Sequence, residues 1–109
     1  MRQLPQGARQ EIQAKVEAIV AEMKKAALWQ DHPLAPEQYN FNRAFAMDTM
    51  AYGQWLQFIF IPRVTELLRT SGEFPTSSSV GAQAIREFDG CREAQGLVTL
   101  LCEFDSIFN

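Results

Sequence analysis

The chain has 109 residues, 47% hydrophobic and 11% aromatic, which is enough apolar surface for one core without disulfides or metal, so 1–109 reads as a single domain. A charged fraction of 21% and a formal net charge of −3 exclude the strongly basic field a chain needs to hold DNA or RNA by itself. The two cysteines, Cys91 and Cys102, form no C-x-x-C pair or secretory framework and read as reduced, partly buried thiols.

Met1 to Gly7 has no signal-like apolar stretch, and the most apolar segment is interrupted at Gln57, Pro62 and Arg63, too early to span a bilayer. A cytoplasmic location with no membrane contact is the expectation.

From about Pro5 to Trp29, Ile12, Val16, Ile19, Val20 and Met23 recur at helical spacing between charged residues, the pattern of an amphipathic helix. Its acidic residues come early and Lys24 and Lys25 late, as the helix dipole favours. Two prolines, Pro33 and Pro36, exclude regular helix in the next segment and give a surface crossing. Tyr39-Asn40-Phe41-Asn42 then lays aromatic rings across the end of the bundle, with an extra turn expected around Arg43 to Met47.

The following run is read as a second helix, starting near Thr49 or Met50 with Asp48 or Thr49 as its cap. Leu56, Phe60, Val64, Leu67 and Leu68 continue one stripe through it, and Gly72 suits the left-handed position that ends it. Pro62 either bends this helix or divides it in two, because it removes a donor and crowds the carbonyl of Phe58. The apolar residues on nearly all sides of Trp55 to Ile61 make it the helix that the others surround. A short helix capped by Ser78 or Ser79 carries Val80, Ala84, Ile85 and Phe88; after the Asp89-Gly90 turn, Leu97, Leu100, Leu101, Phe104, Ile107 and Phe108 mark the last helix. The expected fold class is all-α, a four-helix bundle with a proline-bent or broken central helix.

No pattern in the chain calls for a catalytic group, a cofactor or a metal. His32 stands alone beside Asp31 and reads as an exposed loop histidine. Arg63 presents a fork suited to carboxylate or phosphate, although a structural salt bridge or a bond to a freed carbonyl is the expected use. Trp29 is the large apolar residue expected to stay partly exposed. The cations Lys24, Lys25, Arg43 and Arg63 beside Tyr39, Phe41 and Trp55 read as solvated helix surface and core aromatics before they read as an RNA patch.

The strings Tyr39-Asn40-Phe41-Asn42, Phe45-Ala46-Met47-Asp48-Thr49-Met50, Trp55-Leu56-Gln57 and Ile61-Pro62-Arg63, followed by Leu67-Leu68, resemble the YqcC-like family of small bacterial proteins of unknown function. The resemblance implies an all-helical bundle, and a gene often found beside that of tRNA pseudouridine synthase C. It supplies no catalytic residue. A pseudouridine synthase needs a larger mixed α/β domain than this chain can build, so Asp48 is not assigned a catalytic role.

The expected function is therefore a non-enzymatic interaction or accessory module with a protein partner, the candidate being a tRNA pseudouridine synthase. The candidate interaction or ligand residues are Phe41, Asn42, Arg43, Asp48, Trp55, Gln57 and Arg63. The competing reading is a small-ligand binder or enzyme with a pocket near Asp48, Trp55, Gln57 and Arg63.

Overall fold

Ile12, Val16, Ile19 and Met23 share one stripe of the first helix, α1 (Ala8–Lys25), and all four are buried. The computed structural model describes residues 7–70 and 73–109; among these, all regular structure is helical. Pro5 and Gly72, the expected start of α1 and end cap of the central helix, lie outside the described residues.

The first helix is shorter than its apolar pattern suggests. It ends at Lys25 instead of reaching Trp29, because Ala27 takes the left-handed conformation (φ 59°). Leu28 N–H then bonds to the Met23 carbonyl at 2.8 Å and Ala27 N–H to that of Lys24 at 3.2 Å. This is a Schellman closure, with alanine where glycine is the usual residue.

The chain crosses the bundle end through 3₁₀ turns at Pro36–Tyr39 and Ala44–Ala46. The second is the extra turn expected near Arg43 to Met47. The first places Pro36 at its opening position, where a missing N–H costs nothing, and no α-helix forms across the two prolines, as expected.

The central helix then runs unbroken over 52–70 as α2 (Tyr52–Trp55), a π-helical stretch (Leu56–Phe60) and α3 (Ile61–Thr70). Pro62 does not split it. The ladder widens in the turn before the proline, where Ile61 N–H bonds to the Leu56 carbonyl five residues back, so the missing donor falls beside a turn already out of α register. The start differs from expectation too: Ala51 precedes the first turn, and neither Asp48 nor Thr49 caps it. Instead Gln54 Oε1 accepts the Ala51 N–H at 2.9 Å, half of a capping box.

Two further helices complete the bundle, α4 (Val80–Glu87) and α5 (Gln95–Phe108), with a 3₁₀ turn at Arg92–Ala94 leading into the latter. Leu97, Leu101, Phe104 and Phe108 of α5 are buried together with Leu56, Phe60 and Val64. The helices α4 and α5 meet so closely that a Cβ on Gly81 would lie 2.5 Å from Cys102 Cα and N. The central helix is enclosed on the side carrying Trp55, Leu56, Gln57, Phe60 and Ile61, while Phe58 and Ile59 stay half-buried. Among the described residues, the exposed large apolar side chains are Tyr39, Met47 and Ile85. Trp29 is partly exposed, as expected, with Lys24 Nζ 5.3 Å from its ring centre.

Candidate interaction site

Four glutamines fasten the crossover to the central helix. Gln57, buried on that helix, accepts the Gln30 N–H at 3.0 Å and donates to the Gln30 carbonyl at 2.8 Å. Its amide thus pairs with one backbone unit as a neighbouring strand would. One turn earlier, Gln54 Nε2 donates to Gln30 Oε1 at 3.1 Å, while Gln30 Nε2 reaches the His32 carbonyl. Gln38 accepts the Ala35 N–H and donates to the Thr49 carbonyl, and Thr49 Oγ1 donates to the Gln38 carbonyl at 2.6 Å. Side-chain amides carry both a donor and an acceptor, so one residue type closes each of these gaps.

Asp48 closes the turn within this crossover. Its Oδ2 accepts the Asn42 N–H at 2.9 Å and its Oδ1 the Arg43 N–H at 3.4 Å. The Asn42 bond, ahead of smaller contributions that include the Arg43 charge, holds the carboxyl below its ordinary value. Asp48 is therefore a loop clamp, a correction to its expected role as a helix cap, and Thr49 is the second clasp. Between Arg43 and Asp48, Phe45 and Ala46 both adopt left-handed backbone, at φ 58° and 52°. Packing maintains this strained pair: Ala46 is fully buried, and the Phe45 ring meets Tyr52 and Trp55 edge-on at 5.6 and 5.0 Å.

A run of rings leads from that turn through the bundle. Trp55 stacks on Tyr52 and on Phe60, Phe60 meets Phe104, Phe104 meets Phe108, and Phe108 meets Phe74. Centroid spacings of 5.0 to 6.0 Å are those of favourable aromatic pairs. Tyr52 donates its hydroxyl to the Val80 carbonyl at 2.6 Å, and burial, with Asp105 next in weight, raises its pKa far beyond the ordinary phenol value.

The residues singled out from sequence do not converge on one pocket. Asn42, Arg43 and Asp48 meet in the crossover turn, Phe41 packs half-buried against the core, and Trp55 joins the turn through Phe45. Gln57 is enclosed and fully engaged with Gln30. Arg63 lies away from them, exposed, and lines a separate cavity. It forms neither the salt bridge nor the carbonyl bond expected of it among the described residues. This arrangement does not favour a single ligand pocket near Asp48, Trp55, Gln57 and Arg63 among the described residues.

A family model described as tRNA pseudouridine synthase C matches residues 11–107. The chain belongs to that family, the YqcC-like family. An uncharacterised Haemophilus influenzae protein is 31% identical over 104 residues, which cover 93% of this chain and 95% of the relative. The uncharacterised protein YqcC of Escherichia coli is 30% identical over 69 residues, 63% of each chain. A Pectobacterium carotovorum protein named tRNA pseudouridine synthase C is 34% identical over 55 residues, which make up 50% of this chain but 15% of that much longer protein. The solution NMR structure of E. coli YqcC superposes with a TM-score of 0.79 at 24% identity, over 93% of this chain and 87% of that one, so the YqcC-like fold is an all-helical bundle.

Besides Gln30, Gln38 and Gln54, a further structural residue of this YqcC-like bundle carries no role in the sequence pattern. Asp105, buried on α5, accepts from Ser78 Oγ (2.6 Å), Val80 N (3.0 Å), Gly81 N (2.8 Å) and Ala82 N (3.3 Å). It caps α4 from another helix, the role expected of Ser78 or Ser79, and Ser78 serves as one of its donors. Its position among apolar residues on a helical stripe was the available signal, since a carboxylate there needs several donors. Burial, then the nearby Asp105 charge, raises the Cys102 thiol pKa. No helix among the described residues is long and apolar enough to cross a membrane.

Proposed function

We propose that this YqcC-like chain is a cytoplasmic, non-enzymatic accessory module that binds a protein partner, with a tRNA pseudouridine synthase as that partner. The Pectobacterium match carries the reading: a segment similar to half of this chain lies within a much longer protein named tRNA pseudouridine synthase C. Linking two modules in one polypeptide holds them at about millimolar effective concentration, an arrangement suited to modules that act through contact.

The crossover supports an interface there. Its exposed side chains include Tyr39, Arg43 and Met47, residue types enriched where proteins meet. The glutamine and Asp48 clamps fix the backbone beneath them, so little ordering entropy is lost on docking. Immobilised synthase from the same cell should retain the wild-type chain at micromolar concentration. The Tyr39→Ala/Met47→Ala variant, both positions being exposed, should bind about tenfold more weakly with an unchanged melting curve. No retention of wild type would remove the synthase as partner, and equal retention of the variant would move the interface elsewhere.

A further inference from the structure

We propose that the cavity beside Arg63 is an anchor pocket for a peptide segment of the partner, taking one leucine or phenylalanine side chain whose neighbour in the peptide is acidic. This rests on the accessory-module reading and adds a second contact, separate from the crossover.

The cavity lies between α3, the 73–79 connection and α5, and holds about 200 Å³. Phe60, Val64, Phe104 and Phe108 are its buried walls; Arg63 and Ser77 are exposed lining residues at its mouth. Pockets for drug-sized ligands span roughly 300–1,000 Å³. This one is smaller and has the scale of a single side chain, as at the centre of peptide and protein interfaces.

Local charge selects the neighbour. The chain carries a net charge of −3, yet the charged side chain that lines this opening is the guanidinium of Arg63. Arg63 is exposed and has no ion pair among the described residues, whereas Arg9, 5.1 Å over the ring of Phe74 in the lining, is committed to the Leu67 and Leu68 carbonyls at 2.7 and 2.9 Å. The acids nearby are largely committed. Glu66 holds Arg69 with both oxygens, and Asp105 is saturated by its four donors. Glu73, next to Phe74 in sequence, is exposed and does not line the cavity, so among the described residues Arg63 is the charged group in the lining. An apolar anchor followed by a carboxylate fills the cavity and pairs with the planar fork of Arg63.

The test titrates the full ¹⁵N-labelled chain with overlapping peptides covering the synthase. Peptides with Leu or Phe beside Asp or Glu should shift the amides of Ser77 to Val80 and Phe104, and replacing the acid by Lys should weaken binding at least about tenfold. Arg63→Glu should invert that preference, Ser77→Trp should close the mouth and abolish both responses, and Arg69→Glu should leave them unchanged. All three positions are exposed, so melting curves confirm folding. Equal binding of acidic and basic peptides, or an unaltered response in Arg63→Glu, would overturn the pocket. So would 3-phenylpropionate shifting the same amides as strongly as any peptide, which would assign the site to a small acid. Intact synthase retained equally by wild type and Arg63→Glu, with every peptide silent, would overturn this inference while leaving the accessory reading standing. Failure of wild type to be retained at all would remove both.

Discussion

Ala27 ends the first helix in the left-handed conformation, in a position that is exposed and whose backbone bonds any residue can make. Alanine there bears a cost of about 1 kcal/mol that glycine avoids. Ala27→Gly should therefore raise stability by about 0.5–1 kcal/mol, seen as a higher urea midpoint at constant slope. The same change at Phe45, also left-handed, should not help, because it removes the ring held by Tyr52 and Trp55. Asp48 makes a different residue-scale contribution. Its folded-state pKa lies below the ordinary 3.8, so its stabilisation is complete above that value and disappears as pH falls through the lower folded one. Asp48→Asn should flatten the acid limb of the stability curve in that window. In wild type the Asn42 amide resonance should move as the carboxyl protonates; a static resonance would show that the clamp is absent.

At the scale of elements, the crossover depends on Gln57. Gln57→Leu keeps the size and apolar fit but leaves the N–H and carbonyl of Gln30 without their partners, which should cost about 1–3 kcal/mol. Exchange of the Gln30 amide should accelerate correspondingly while amides in the middle of α5 report only the global change; uniform acceleration would mean that the crossover does not open by itself. Helix identity was legible from sequence because apolar spacing dictates it: Ile12, Val16, Ile19 and Met23 bury as their stripe requires, and the last helix follows its leucines and phenylalanines. Ends were less legible because tertiary contacts set them. Ala27 gives none of the glycine signal that marks a helix stop, and α4 is capped by a carboxylate 23 to 25 residues away in sequence. The candidate residues fared similarly. Asn42, Arg43 and Asp48 are local and emerged together, whereas the pairing of Gln57 with Gln30 crosses 27 residues and has no periodic signature.

Across the whole molecule, Asp105 joins the last helix to the one before it and thereby closes the bundle around the aromatic run. Its Oδ1 and Oδ2 take three backbone N–H groups and one hydroxyl, while Asn109 exchanges bonds with Ser78 just beyond. Phe104 and Phe108 flank Asp105 in sequence and meet each other at 5.0 Å, so loosening the cap disturbs the rings that also contact Phe60 and Phe74. Asp105→Ala strands buried donors of Val80 and Gly81, which should cost about 3–5 kcal/mol, a large share of the roughly 5–15 kcal/mol that stabilises a domain. Asp105→Asn should fall between this variant and wild type: its oxygen still accepts, but its amino group faces N–H donors. If the bundle folds as one cooperative unit, far-ultraviolet circular dichroism and tryptophan fluorescence should shift to the same lower urea midpoint in each variant. A loss below about 1 kcal/mol in Asp105→Ala would show that water replaces the carboxylate at the start of α4, and a separation of the two probes would divide α4 and α5 from the Trp55 end of the bundle.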